Sequence, residues 1–541
     1  MESDRQPLVQ HQEDYNDHFP NPYGNPYDQA PHNTTPNGPP FADKSTPVLY
    51  PPQPYAQPYY PLQDPVLNGQ APFAGERFRP KNGVRDPFFL VLFLVQLAGL
   101  VGISAYSVYS WFHAGGPKFD EDSNEVTEDI GAIASNPILI AIIVGGGLLI
   151  STLYFLLLRL FTTFMMHVSL IFTVILNAAI CGYYAYRKLW VACAIFGVVA
   201  LFSLLGYFGV RKRIPLASLL LKTVMDITTE HLAVYVVALV SLVIQAALAV
   251  WVVFACIASL EVWTGCSSNS ATNTQCNTAL GWGFVIYMGI TYIYTSITIG
   301  NIVSATLAGG PFGCWYYIGS KNSPQMPSWP TASAFGRATT SSLGSIAFGS
   351  LIVTVLEIIR GLLDFARQDS DGVLSFLACC AECFVACIED IVESFNRYAY
   401  IEIALYGKSY VKAAKDTWRL IKDRGVDAII NDSIVSNVLA WGALCNGLLL
   451  MLAAFLWVHF KEHESFQDNG GELIAAMVFA FVVGVQLEQT LASVFESGVS
   501  TIFVGLAEDP GVLAIRSPQL FGLIADRYPQ VVEGVPGGVR V

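Results

Sequence analysis

Cys379, Cys380, Cys383 and Cys387 crowd one short stretch and raise the question of a metal site. Zinc held by sequence-near thiolates ordinarily takes a Cys-x-x-Cys knuckle together with a distant second pair. Here Cys379, Cys383 and Cys387 recur every four residues, as a stripe of small packing side chains on a helix would, and no histidine cluster accompanies them. No metal and no other cofactor is expected. Gly407-Lys408-Ser409 has the end of a phosphate-binding loop. That loop needs a glycine where Glu402 stands, because the backbone must approach the phosphate closely. No Gly-x-Ser-x-Gly elbow and no His-Glu-x-x-His helix occurs, so the chain is not expected to be an enzyme.

The remaining chemistry belongs to polar and aromatic residues inside long apolar runs. Such residues are costly in lipid and tend to mark functional sites. They are Gln245, Trp251, Tyr287, Tyr292, Tyr294, Asn301, Glu357, Asn446, Gln486 and Glu488. Aromatic faces with one carboxylate suit a quaternary ammonium ion, through cation–π attraction and a counter-charge. Tyr287 and Tyr294 are seven apart and share a helix face. Glu357 and Glu488 are the candidate counter-charges. Trp251, Asn301 and Gln486 complete the candidate substrate site. Interfacial belts and helix packing account for aromatics at such positions equally simply.

Apolar runs must position these groups. Apolar residues make up 53% of the 541 and charged residues 13%, against about 25% charged in ordinary globular chains. Mean hydropathy is +0.47. The net charge of −13 gathers in tails and loops, which excludes the basic face that nucleic-acid binding needs. A helix needs about 20 apolar residues to cross the hydrocarbon. Candidate spans are 88–112, 137–158, 164–185, 189–210, 233–259, 279–306, 342–360, 372–394, 434–458 and 472–495. Glu357, Arg360 and Glu382 interrupt the seventh and eighth, so those charges must face protein or water. The expectation is an all-α, polytopic membrane bundle of about ten transmembrane helices over 86–510. A disordered tail precedes it over 1–85 and a short tail follows over 511–541.

Arg77, Arg79, Lys81 and Arg85 precede the first span and place the N-terminus in the cytosol. Loop 113–136, with six acids and one lysine, suits the outside. Arg211-Lys212-Arg213 and the basic loop 395–433 then fall inside, 260–278 and 459–471 outside, and the C-terminus returns to the cytosol. Arg187-Lys188 disagrees mildly. Cys266 and Cys276 bracket the polar outer loop Ser267 to Gln275, so a disulfide closing it is expected. Lys408, Lys412, Lys415, Arg419 and Lys422 can meet anionic membrane lipid from an amphipathic inner element, or simply mark a positive-inside loop.

Residues 1–75 hold 16 of the 29 prolines and seven tyrosines. Such a segment cannot bury enough apolar surface to offset its ordering entropy. Pro51-x-x-Pro54 has the polyproline spacing taken by SH3-type grooves, and a near miss to a WW-type motif is also present. A plain solvated tail has the same composition.

The run from Asn396 to Ser409 carries Asn396-Arg397, Tyr400, Tyr406, Gly407 and Lys408, followed by Ala414-Lys415. A second run, Ser500 to Pro510, ends in Glu508-Asp509. With these two motifs, the stretch 85–530 resembles the choline transporter-like family, in its fungal "pH nine sensitive" branch. The resemblance implies a ten-span plasma-membrane protein with both termini in the cytosol. It also implies transport of choline or another small organic solute. The first outer loop is short, whereas many animal members, those best linked to choline, carry a long one. A membrane scaffold acting through the Pro/Tyr-rich tail and an intramembrane enzyme on lipid head groups are the rival readings.

Overall fold

The computed structural model describes residues 83–113, 137–264, 278–319, 321, 323–324, 326–368, 373–424, 427–461 and 470–527. The Pro/Tyr-rich tail, Cys266 and Cys276, and most of loops 113–136, 260–278 and 459–471 lie outside the described residues. All regular structure among the described residues is helical. Helices are what an apolar chain must form in lipid, because every backbone N–H and C=O then finds its partner within the segment.

In chain order the helices are α1 (Pro87–His113), α2 (Pro137–Leu160), α3 (Thr162–Tyr186), α4 (Trp190–Val210), α5 (Ile214–Glu230) and α6 (Ala233–Thr264). There follow α7 (Thr278–Leu307), α8 (Gly313–Tyr317), α9 (Pro330–Thr339), α10 (Leu343–Gln368) and α11 (Val373–Tyr406). The last are α12 (Tyr410–Arg424), α13 (Asp427–Lys461), α14 (Gly470–Glu508), α15 (Pro510–Arg516) and α16 (Pro518–Arg527). Among the described residues nine segments are long and apolar enough to cross a membrane: α1 to α4, α6, α7 with α8, α10, α13 and α14. The chain is a multi-pass membrane protein. α11 is 34 residues long, about 50 Å at the helical rise. Its carboxylates keep it off that apolar roster. It packs along α10, α7 and α14, where the sequence reading expects its eighth span.

The structure differs from the sequence reading in three places. Residues 214–230, expected as loop, form α5. Pro215 sits in its first turn, where a missing N–H costs nothing, and Leu220, Leu221, Val224 and Ile227 are buried. α5 is too short and too polar to cross a bilayer, so hydropathy passes it by. Its burial comes from α3, α13 and α14. The expected loop 395–433 is instead the end of α11, a break at Gly407 and the helix α12. The sixth span does not end at 306. It passes through a π turn, Ala308–Phe312, into α8.

The core lies toward one end of the bundle. It joins α5, the end of α7, the last turns of α11, α12, the start of α13, the end of α14 and the two C-terminal helices. Away from it, α4 has no fully buried residue. Lipid is as apolar as leucine and does not drive such a helix inward.

Candidate functional site

Gly407 ends α11 in the left-handed region, with φ 62°, a conformation that glycine enters without the usual Cβ penalty. The turn carries Lys408 back onto the helix it has just left. Its Nζ lies 2.6 Å from Glu402 Oε2 and 2.9 Å from Asp416 Oδ2 of α12, and 4.7 Å from the centre of the Tyr406 ring. Burial alone would lower the Lys408 pKa. Glu402, its hydrogen bond and Asp416 outweigh burial and hold the ammonium above the ordinary lysine value. Tyr406 Oη meets Tyr317 Oη at 2.5 Å, which ties α11 to α8.

The segment before α1 closes the same junction. Arg85 Nε donates to the Gly407 carbonyl at 3.1 Å. Asp86 Oδ2 accepts from the Tyr410 backbone N–H at 2.8 Å and from Ser345 Oγ at 2.6 Å. It thereby satisfies one of the orphan donors at the start of α12. Tyr410 Oη donates to Asn396 Oδ1 at 2.6 Å, and Asn396 Nδ2 donates to the Gly349 carbonyl of α10 at 3.2 Å. Burial pushes the Tyr410 phenol up to about 12.

The π turn supplies the other wall. Gly310 adopts φ −105° and ψ −107°, outside helical space, and Pro311 follows it with no N–H to give. Arg337 of α9 donates to the Gly309 carbonyl at 2.8 Å. A small cavity here is bounded by Ala305, Gly309, Ala334, Arg337, Ala338 and Ala404. A Cβ on Gly309 would stand 2.8 Å from the Ala404 carbonyl oxygen, so a larger residue does not fit there.

Beyond the junction, α11 carries a ladder of charge. Arg360 pairs with Glu389 at 2.8 Å, Arg367 with Asp364 at 2.6 Å and Glu382 at 3.1 Å, and Arg397 with Glu496 of α14 at 3.4 Å. Glu357 lies within electrostatic reach of Glu389, Arg360 and Glu393. The carboxylates Glu357, Asp364, Glu382, Glu389, Glu393 and Glu496 thus outnumber the three arginines. Where the ladder approaches the junction, Asn301 Nδ2 donates to Ser350 Oγ at 2.9 Å and to Tyr400 Oη at 3.3 Å.

The structure scatters the substrate residues expected from the sequence. Tyr287 and Tyr294 do share a face, and that face meets other helices. Tyr287 Oη donates to the Gln96 carbonyl of α1 at 3.0 Å, and the buried Tyr294 donates to the Ala347 carbonyl of α10 at 3.0 Å. Trp251 Nε1 donates to Ser104 Oγ at 2.9 Å. Gln486 is exposed, while Glu488 two positions on is fully buried. Asn446 Nδ2 serves Glu488 Oε2 at 3.3 Å, Ser151 Oγ at 2.8 Å and the Gly147 carbonyl at 3.3 Å. No hydrogen bond or ion pair joins Glu357, Glu488, Trp251 and Tyr287 to one another among the described residues. Among the described residues, Glu357 belongs to the ladder and Asn301 lies where it approaches the junction.

The motif residues, by contrast, gather. Asn396, Arg397, Tyr400, Tyr406, Gly407 and Lys408 all make the contacts just described. Glu508 is the last residue of α14 and lies within hydrogen-bonding reach of Glu402. The Asp509 carbonyl accepts from Tyr316 Oη at 2.9 Å. Lys408 is therefore an internal counter-charge and not a lipid contact. Asp86 and Arg337 escaped the sequence reading. Asp86-Pro87 does look like a helix start, but the helix whose first N–H its carboxylate takes lies more than 300 residues away.

A family model described as plasma-membrane choline transporter matches residues 194–511. Over 486 residues the chain is 44% identical to Protein PNS1 of Cryptococcus neoformans var. neoformans serotype D, covering 87% of this chain and 88% of that one. It is 38% identical over 523 residues to Protein PNS1 of Mycosarcoma maydis, with 90% and 96% covered. With Protein PNS1 of Gibberella zeae it shares 30% identity over 479 residues, with 87% and 88% covered. The aligned stretches match the length of the helical bundle, and the motif that resembled the family is the one that builds the junction. This chain belongs to the plasma-membrane choline transporter family.

Proposed function

We propose that the protein is a carrier, and not an enzyme, that moves choline or another small organic cation across the plasma membrane, with both termini in the cytosol. The observation that carries this reading is the acid-rich ladder of α10, α11 and α14, which leads to Asn301, Ser350 and Tyr400. A cation crossing lipid without partners is very costly. A partly sheltered row of carboxylates lowers that cost along a path and needs no reactive group. Glu357 is the residue of choice for the cation because, among the described residues, no arginine is bonded to it, unlike Glu389 and Glu382. The short α12 supports the orientation and a lipid contact. Ala413, Thr417 and Leu420 are buried, while Lys412, Lys415, Trp418, Arg419 and Lys422 are exposed together, as suits anionic lipid on a cytosolic leaflet.

Uptake of labelled choline by the purified full-length protein in liposomes tests the reading. Glu357→Gln should lower flux far more than Tyr287→Phe, which gives up only the bond to the Gln96 carbonyl. Unchanged uptake by Glu357→Gln would remove Glu357 from the path and turn attention to Glu488. No choline uptake by the unaltered protein would overturn the substrate and leave the fold and family standing.

A further inference from the structure

Cys181 and Cys193 lie inside apolar runs, where a cysteine ordinarily passes for a small hydrophobe. They sit on the two arms of the α3–α4 hairpin, whose turn is only Arg187, Lys188 and Leu189. The hairpin brings Cys181 Sγ to 3.6 Å from Cys193 Sγ and 3.3 Å from the Cys193 carbonyl oxygen. Neither side chain is fully buried. Cys181 is five residues before the end of α3 and Cys193 three after the start of α4. At the helical rise both are within roughly 8 Å of the turn. Elsewhere the hairpin is held by modest contacts: Asn177 Nδ2 to Ser203 Oγ at 3.2 Å, and Tyr184 stacked on Phe196. α4 buries no residue fully and has α3 as its principal neighbour. It is thus the helix least secured by packing.

We infer that Cys181 and Cys193 form a disulfide that staples α4 to α3 at the outer end of the hairpin. The sulfurs must approach by about 1.5 Å to reach bonding distance, a small side-chain movement between helices already in contact. The step forms one S–S bond and removes two thiol protons and two electrons. A protein disulfide of the thiol-oxidase class, in the secretory lumen, takes both electrons and becomes a dithiol, through a mixed disulfide. The inference rests on the proposed orientation, in which the 187–189 turn faces the oxidising side.

The test uses full-length protein with Cys266→Ser and Cys276→Ser, so that the redox state of that loop cannot be mistaken for this pair. Cells are quenched in acid, and the protein is denatured in N-ethylmaleimide, reduced, labelled with a heavier maleimide and digested. The expected result is the heavy label on Cys181 and Cys193, and a 181–193 cross-linked peptide when reduction is omitted. Cys193→Ser should then return Cys181 to the light label. In parallel, a Lys188→Cys protein is treated with a membrane-impermeant maleimide on intact cells. Light label on both thiols while Lys188→Cys reacts from outside overturns the disulfide and leaves the orientation intact. Light label on both thiols with Lys188→Cys unreactive until the cells are opened overturns the orientation, and the disulfide with it.

Discussion

Along α11, Glu389 meets an arginine whose side chain remains 45% exposed, whereas Glu402, further down the same helix, is fully enclosed with a lysine that is 18% exposed. Both are acid–base pairs under 3 Å. Their surroundings give them different work. Glu389 is itself only 11% exposed, but a pair whose cation stays accessible is partly screened and contributes little, about 0–1 kcal/mol. A buried pair gains little over an apolar replacement, yet removing one member strands a charge and costs about 3–5 kcal/mol. One half of the helix therefore holds a cation that is free to change partners, and the other half locks α11 to α8, α10, α12 and the segment before α1.

The largest expected effect follows from stranding that charge. Lys408→Ala leaves Glu402 without its cation and should abolish a monodisperse, folded protein, read as loss of the main peak on size exclusion in detergent. Adding Glu402→Gln should recover most of it, because the buried carboxylate is then gone. Recovery by neither would mean that the lysine acts through something other than this pair. Gly309→Ala comes next. Its methyl group presses on the Ala404 carbonyl, an overpacking worth about 1–3 kcal/mol. A lowered Tm with the charge ladder untouched would separate packing from charge, and an unchanged Tm would show that the π turn can move aside.

Alkaline pH should weaken the locked half selectively. The Lys408 pKa is raised on folding, so the folded state holds this proton more tightly. Its contribution is complete below the ordinary lysine value of 10.5 and is lost as pH rises through the raised folded value. The Tyr410 phenol, pushed up to about 12, acts in the same direction. Tm should hold up to about pH 10 and fall from there toward about pH 12, and fall less in the Lys408→Met, Glu402→Gln protein, where the tyrosine part remains. Equal slopes would contradict the assignment. The smallest stability effect belongs to Arg360→Ala, within about 1 kcal/mol of the unaltered protein, while choline flux should change measurably as Glu389 is freed. A large loss of Tm would show that the ladder is structural after all.

Several features were legible in the residues because they follow from local chemistry. Twenty apolar residues in a row cross a membrane wherever they stand, so the spans at 88–112 and 434–458 were readable directly. The Asn396–Ser409 motif was readable as a pattern. Its geometry was not, since Lys408 looked like one cation among several in a basic loop. Tyr287 and Tyr294 were placed correctly on one face, but seven-residue spacing does not say what that face meets. It meets α1 and α10.

The sequence by itself determined that this is an all-helical, multi-pass membrane protein, and which charges had to be sheltered, because hydrophobic transfer and charge desolvation act residue by residue. Only the tertiary structure decided which shelter each charge received. Glu357 joined an open ladder, Glu402 a sealed pair, and Glu488 a neutral nest of Asn446 and Ser151. Asp86 found the start of a helix more than 300 residues away. Those partners are distant in the chain, and their meeting depends on how whole helices pack, which no local spacing encodes.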